Sequence, residues 1–128
     1  MSAAQPNVGT IAWHDLTVAD AGSLRDFYSK VVGWRAESVS MGEYDDYAMA
    51  TPRTGESVAG VCHARGTNAD LPAQWLMYVI VADVESSART CAELGGKVVV
   101  SVRPLMGGRF CVIEDPAGAV LAMYQPAA

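Results

Sequence analysis

The first half of the chain begins with a segment typical of a β-strand, which is followed by hydrophobic residues at helical spacing. Residues 9–18 are rich in β-forming side chains and end near Asp20, a residue type that favours helix N-termini. Apolar residues then recur at helical spacing before Gly33, which predicts an amphipathic helix; they are Leu24, Phe27, Tyr28, Val31 and Val32. Three further strands, over 35–41, 43–51 and 57–63, complete a predicted βαβββ unit.

The second half repeats this order. It predicts a strand at 75–81, a helix at 84–94 and strands at 97–102, 109–114 and 119–124. Val18-Ala19-Asp20 returns as Val81-Ala82-Asp83 at an offset of 63 residues, and Gly33 returns as Gly96 at the same offset. Because chance similarity rarely keeps one offset, we infer an internal repeat. Residues 1–128 are expected to form a single domain, with one module at about 8–64, a linker at 65–71 and a second module at about 72–126.

A βαβββ unit forms a sheet with a helix on one face, and its other face is also partly apolar. Two such units that cover each other would enclose a cleft. The predicted fold class is therefore α+β, with two βαβββ modules whose mixed sheets enclose a cleft.

Composition and net charge exclude several classes of binding partner. Of the 128 residues, 51% are hydrophobic and 18% charged, which is typical of a globular protein. The net charge of −5 argues against nucleic acid and against an anionic membrane surface as partners. No apolar run approaches the roughly 20 residues that span a bilayer, and MSAAQPNVGT lacks the features of a secretory signal. The three cysteines share no CxxC spacing and are expected as reduced thiols in a cytoplasmic protein.

Several segments resemble the vicinal oxygen chelate superfamily of glyoxalases, bleomycin-resistance proteins and ring-cleaving dioxygenases. They are WHDLTVADAGSLRDFYSKVVGW (13–34), VAGV (58–61), WLMYVIVADV (75–84), AELGGKV (92–98) and VIEDPAGAVLAMYQP (112–126). The resemblance implies a glyoxalase-like fold, a small-molecule ligand and a homodimer, which exposed sheet edges at 9–18 and 72–82 would favour. It leaves the reaction open, because this fold hosts isomerases, epimerases, dioxygenases and drug-sequestering proteins.

Enzymes of this family hold a divalent metal through His, Gln or Glu on the first and last strands of each module. The family pattern, carried onto this sequence, places those ligands at Trp13, Gly60, Leu76 and Ala122. None of these side chains can bind a metal. His14 would become a candidate metal ligand only if the register of the first strand slipped by one residue. The same slip in the second half would place Met77 at the equivalent position. We therefore expect no metal and no cofactor, with a divalent metal as the alternative.

Alternation along the strands predicts a mostly apolar cleft with aromatic walls. The expected ligand-binding residues are Trp13, Asp15, Tyr47, Cys62, Trp75, Tyr78 and Tyr124, and Val58 and Gly60 are expected on the same face as Cys62. Asp15 is the candidate catalytic residue, because a desolvated carboxylate has a raised pKa and can act as a general base or hold a cation. The alternative is that Asp15 has a structural role and is paired with an Arg or with backbone amides.

The remaining polar residues are expected to have ordinary structural roles. His14 should lie on the helix side of its strand and His63 at the surface. Glu43, Asp45 and Asp46 should form a solvated acidic turn.

Three functions stay open at this point. We favour a metal-independent small-molecule-binding protein of the glyoxalase or bleomycin-resistance type. An apolar aromatic cleft in a protein with an excess of acidic residues suits cationic, planar compounds. A glyoxalase-like lyase, isomerase or dioxygenase that uses a divalent metal or Asp15 is the alternative. An accessory domain that serves assembly is the third.

Overall fold

The computed structural model describes residues 7–127 apart from the side chain of Thr67, and in this range it contains eight strands and two α-helices. The first module comprises β1 (Ile11–Val18), α1 (Ala21–Val32), β2 (Arg35–Ser40), β3 (Asp45–Ala50) and β4 (Ser57–His63). The second comprises β5 (Trp75–Ile80), α2 (Val84–Glu93), β6 (Lys97–Leu105), β7 (Gly108–Glu114) and β8 (Val120–Gln125). A short 3₁₀ helix, Gly66–Asn68, lies in the predicted linker. The α+β class and the two βαβββ modules are thereby confirmed.

Each module has the same strand order. In the first module the order is β2-β3-β4-β1, with β1 parallel to β4 and the other neighbours antiparallel. In the second it is β6-β7-β8-β5, with β5 parallel to β8. The register also repeats, because Asp15 lies opposite Gly60 and Tyr78 lies opposite Ala122. The repeat in the sequence is thus a repeat of topology.

Both α-helices begin at an aspartate that caps the first turn. The Oδ1 atom of Asp20 accepts the backbone N–H of Ser23 at 3.1 Å, and Oδ1 of Asp83 accepts that of Ser86 at 3.1 Å. These bonds satisfy amide groups that have no partner within the helix. Gly33 ends α1 with a φ of 89°, a left-handed conformation that favours glycine.

The core of the first module uses only part of the apolar stripe on α1. Its buried centre is formed by Ala21, Met49, Ala59 and Val61, and Leu24 and Tyr28 of α1 pack against it. Phe27, Val31 and Val32, which share the helical spacing, remain 53%, 65% and 52% exposed. The core of the second module is centred on Val84, Cys111 and Met123.

The start of the chain groups with the second module. Residues 14–75 form one compact unit, and residues 7–13 belong with 76–127 in the other. The Gly9 N–H donates to the Ile80 carbonyl at 2.8 Å, and the Ile80 N–H donates to the Thr10 carbonyl at 2.9 Å. The expectation of free sheet edges at 9–18 and 72–82 is wrong at these residues, because their backbone groups bond each other.

The hairpin of β6 and β7 differs in detail from the predicted elements. Strand β6 continues past the predicted end at 102 to Leu105, and Pro104 is tolerated because β6 has only β7 as a neighbour in its sheet. The hairpin turn is Met106-Gly107 alone, with φ values of 49° and 80°, as a tight two-residue turn requires. Gly108 is therefore the first residue of β7 rather than part of the turn.

Residues 1–6, on which most of the signal-peptide expectation rests, lie outside the described part of the chain. Among residues 7–127, neither helix has the length and hydropathy to cross a bilayer.

The cap of α1 generates a pH-dependent prediction. Hydrogen bonds from the side chain and the backbone of Ser23 lower the pKa of Asp20. A carboxyl whose pKa is lowered by folding stabilises the protein above its unfolded pKa of about 3.9, and this contribution is lost as the pH falls through the folded pKa. We expect Asp20→Ala to lower the urea midpoint at pH 7, and its difference from the parent protein to shrink as the pH falls below ~3.9.

Asp20→Asn is the matched control, because asparagine caps helices about as well as aspartate but does not titrate. It should stay close to the parent protein at pH 7. A difference for Asp20→Ala that is constant from neutral to acid pH would contradict this role for the carboxylate.

Candidate functional site

The positions that the resemblance assigns to metal ligands carry no metal-binding side chain. Gly60 and Ala122 occupy equivalent places in the two modules, since each pairs with the first strand of its module at the same point of the ladder. Leu76 and Ala122 are fully buried apolar residues. Within residues 7–127, no three His, Cys, Asp or Glu side chains come together in a way that could hold a metal ion. The residues present therefore do not fit the family's metal.

Two carboxylates of the first module, Asp15 and Asp46, lie on the sheet face opposite α1. We call this surface the Asp15 face; it comprises Asp15, Thr17, Asp46, Gly60 and Cys62. Strand alternation places them there, because their neighbours Val18, Tyr47, Ala59 and Val61 pack with α1. Thr17 and Asp46 are only 4% and 6% exposed, and Asp15 and Cys62 are half-buried.

Cys62 is not an activated nucleophile. Burial first, and then the carboxylates of Asp15 and Asp46, raise the pKa of the Cys62 thiol far above its usual range. The thiol is therefore protonated at neutral pH, and only the thiolate attacks electrophiles efficiently. Cys62 can contribute packing and weak polar contact to the Asp15 face, but not covalent catalysis.

Asp46 and His63 form a pair that the sequence pattern did not predict. Oδ1 of Asp46 accepts the backbone N–H of His63 at 2.8 Å and lies 3.4 Å from its Nδ1 atom. Nδ1 also lies 3.0 Å from the carbonyl oxygen of Asp45, and the Tyr44 ring meets the imidazole edge to face. The expectation of a solvated turn and a surface histidine is wrong for Asp46 and His63, because β3 begins at Asp45 and alternation turns Asp46 inward.

In the second module, aromatic side chains replace the polar groups of the Asp15 face. Tyr78 and Tyr124 occupy the places of Asp15 and Cys62 in the ladder. The Tyr78 ring packs on Phe110 with 6.1 Å between centroids, and both residues are buried. The Tyr124 hydroxyl donates towards the carbonyl oxygens of Leu105 and Met106 at 3.1 Å each, which ties β8 to the β6–β7 hairpin.

A separate pocket opens on the α1 side of the first module. We call it the aromatic pocket; its volume is about 410 Å³ and it is lined by His14, Tyr28, Trp34, Val58, Ala59 and Trp75. Nε1–H of Trp75 donates to the Tyr28 hydroxyl at 3.0 Å. The centroids of the Tyr28, Trp34 and Trp75 rings lie 5.3 to 6.1 Å apart. The sequence pattern singled out Trp75, but not Tyr28 or Trp34, because their spacing is equally that of an ordinary helix face and helix end.

A β-bulge explains why both Val58 and Ala59 line this pocket. Met49 pairs with Ala59 and Ala50 pairs with Ser57, so one step along β3 matches two steps along β4. Val58 is the extra residue, and a bulge changes the direction of the side chains around it. The expectation that Val58 shares a face with Gly60 and Cys62 by simple alternation is therefore wrong.

The other predicted ligand-binding residues fall at separate places. Tyr47 lies on the α1 side, with the Arg25 guanidinium 4.6 Å from its ring centroid. Trp13 lies two residues before Asp15 in β1, which places it on the same face by alternation. His14 is exposed on the α1 side, as alternation predicts. The structure thus brings Asp15 and Cys62 together on one face, and the ligand-binding role of all seven residues stays a prediction.

Two curated relatives resemble most of the chain. CFP32 of Mycobacterium tuberculosis, a presumed glyoxylase, is 28% identical over 120 residues, which cover 93% of this chain and 45% of that protein. The anthracycline biosynthesis protein DnrV of Streptomyces peucetius is 30% identical over 133 residues, which cover 91% of this chain and 47% of that protein. The chain therefore spans about half the length of the curated relatives it matches.

Solved structures with the same fold include two methylmalonyl-CoA epimerases. The Streptomyces coelicolor enzyme, in complex with 2-nitronate-propionyl-CoA, matches with a TM-score of 0.56 and 18% identity over 95% of this chain and 100% of that chain. The Mycobacterium tuberculosis enzyme matches with a TM-score of 0.53 and 15% identity over 99% and 95% of the two chains. At such identities the likeness shows the fold alone.

A family profile covers both modules. It matches residues 10–123, from the start of β1 to within two residues of the end of β8. This range includes the whole first module and all of the second module except the last two residues of β8. The chain belongs to the Glyoxalase/Bleomycin resistance protein/Dioxygenase superfamily.

Proposed function

We propose that this protein binds a small organic molecule without a divalent metal, and that Asp15 contacts the ligand. One observation carries the proposal. The half-buried carboxylate of Asp15 lies opposite Gly60, a position where the family pattern expects a metal ligand and this chain has no side chain at all. A negative charge thus lies beside a position that the resemblance assigns to a metal ligand.

The charge of the site favours a cationic ligand. A partly buried carboxylate attracts a cation more strongly than an exposed one does, because fewer water molecules screen it. The net charge of −5 adds a long-range attraction for cations. The predicted aromatic contact of Trp13, which lies two residues before Asp15 on β1, would suit a planar compound.

The relatives support the same class of ligand. The family description includes bleomycin resistance, and DnrV takes its name from anthracycline biosynthesis. Anthracyclines are planar fused rings that carry an amino sugar, which is cationic at neutral pH. We therefore choose the anthracycline daunorubicin as a probe.

An enzyme is the second candidate, favoured by the names of CFP32 and of the epimerases that share the fold. In that case Asp15 would accept a proton from the substrate, because it is the half-buried carboxylate of its face.

Removal of divalent metal tests the first part of the proposal. We expect EDTA to leave the melting temperature of the purified protein unchanged, since Trp13, Gly60, Leu76 and Ala122 offer no donors that folding could couple to a metal. We also expect no formation of lactoylglutathione, with or without added Zn²⁺ or Ni²⁺. That chemistry needs a metal ion bound in the site as a Lewis acid, and the four positions have no donors to bind one. A melting temperature that falls in EDTA and recovers with added metal would contradict the proposal.

Loss of the Asp15 charge tests the second part. We expect daunorubicin to raise the melting temperature of the parent protein. Asp15→Asn should weaken its binding by about tenfold to a hundredfold, because a hydrogen bond to a charged group contributes roughly 1.5–3 kcal/mol. Fluorescence titration of the drug measures both affinities.

Asp26→Asn is the matched control, because it removes one exposed negative charge from α1 and changes the net charge equally. It should leave the affinity near that of the parent protein. Equal losses in both variants would mean that only the net charge matters, and absence of daunorubicin binding to the parent protein would contradict the proposed ligand class.

We further propose that the protein is a cytoplasmic homodimer with reduced cysteines. Cys62, Cys91 and Cys111 are free thiols in the described part of the chain, which supports a reducing compartment. The exposed side chains of Phe27 and Val31 are four residues apart on one face of α1 and form an apolar strip, and such strips often mark interfaces.

Sedimentation velocity tests the dimer. We expect a species of twice 13.5 kDa at about 10 µM, and a monomer when Val31→Lys places a charge in the apolar strip. Lys30→Ala, which removes a neighbouring exposed side chain of α1 without placing a charge in the strip, should remain dimeric. A monomeric parent protein at that concentration would contradict the proposal.

A further inference from the structure

We infer that the aromatic pocket beside α1 is a second binding site, for a small, flat, uncharged aromatic molecule that bears a hydroxyl group. This site is independent of the proposed function, because its lining residues lie on the α1 side of the sheet and the Asp15 face lies on the other. Neither the metal positions nor the Asp15 carboxylate contributes to it.

Three rings give the pocket its shape. Trp75 packs edge to face on Tyr28 and Trp34 at interplanar angles of 80° and 64°, so the three rings form one continuous aromatic wall of the pocket. The hydrogen bond from Trp75 Nε1–H to the Tyr28 hydroxyl holds two of the walls in place. A volume of about 410 Å³ falls within the range of roughly 300–1,000 Å³ that is typical of small-molecule sites.

The floor of the pocket depends on the bulge in β4. The extra residue allows Val58 and Ala59 to line the same space, although they are consecutive in the chain. Ala59 is buried and has the smallest side chain in the lining, so the floor is flat and apolar. A flat aromatic ring would fit between this floor and the edges of the indoles.

The polar groups of the lining set the chemistry of the ligand. The imidazole of His14 is exposed, the Tyr28 hydroxyl and Trp75 Nε1 bond each other, and Trp34 adds an indole N–H. A hydroxyl on the ligand could therefore bond to His14 while the ring stays in the apolar part. None of the lining residues is a carboxylate. A neutral compound is therefore favoured over a quaternary ammonium ion.

The chain has three tryptophans, and this makes the site directly observable. Trp34 and Trp75 line the pocket and Trp13 does not. In a ¹H–¹⁵N correlation spectrum each indole N–H gives one signal, which Trp→Phe variants assign. We expect 2-naphthol at up to ~2 mM, a concentration suited to weak ligands, to shift the signals of Trp34 and Trp75 and to leave that of Trp13 in place.

Two variants test the roles of single residues. His14→Leu should weaken the affinity for 2-naphthol by about threefold to tenfold, because it removes one hydrogen bond. Val58→Phe should abolish the shifts by filling the pocket. Ser57→Ala, the neighbouring exposed position on β4, is the matched control and should bind like the parent protein.

The spectra of the parent protein and its variants distinguish a real site from its absence. Saturable shifts at Trp34 and Trp75 that Val58→Phe removes and Ser57→Ala keeps would support the site. Absence of shifts in the parent protein, or shifts at Trp13 alone, would overturn it. Shifts from tetramethylammonium as large as those from 2-naphthol would overturn the inferred neutral ligand. Because His14 is exposed, His14→Leu tests the site even if Val58→Phe fails to fold.

Discussion

In each module the first strand pairs in parallel with the last, and this pairing fixes which side chains share a face. The β1–β4 ladder places Asp15 opposite Gly60, and the β5–β8 ladder places Tyr78 opposite Ala122. Because a strand turns alternate residues to opposite faces, this one register divides the first module into a helix side and an Asp15 face. A slip of one residue in β1 would move Asp15 and Thr17 to the helix side.

The two modules use the same backbone for different chemistry. Where the first module has Asp15 and Cys62, the second has Tyr78 and Tyr124. The positions on β4 and β8 that the resemblance assigns to metal ligands are Gly60 and Ala122. Repetition has thus preserved the topology, while the side chains on the faces have diverged. This is why membership in the superfamily does not determine the reaction, and why the proposed function depends on particular residues of the Asp15 face.

The elements were predictable because local signals mark both ends of each helix. Asp20 and Asp83 cap the helix starts, and the repeat relates two independent copies of the same pattern. The aromatic pocket was not predictable in the same way. It depends on an extra residue in β4, at Val58, which the hydrophobic pattern does not reveal, and on a hydrogen bond between Tyr28 and Trp75, which are 47 residues apart. Features that arise from long-range register lie beyond what periodicity can predict.

The metal content of the purified protein tests the central claim most directly. A stable metal site generally needs three or four protein donors, and Trp13, Gly60, Leu76 and Ala122 supply none. Elemental analysis should therefore find less than about 0.1 equivalent of Zn, Ni, Mn or Fe per chain. About one equivalent per chain, lost when His14→Ala is introduced, would contradict the account and would establish a metal site in this fold.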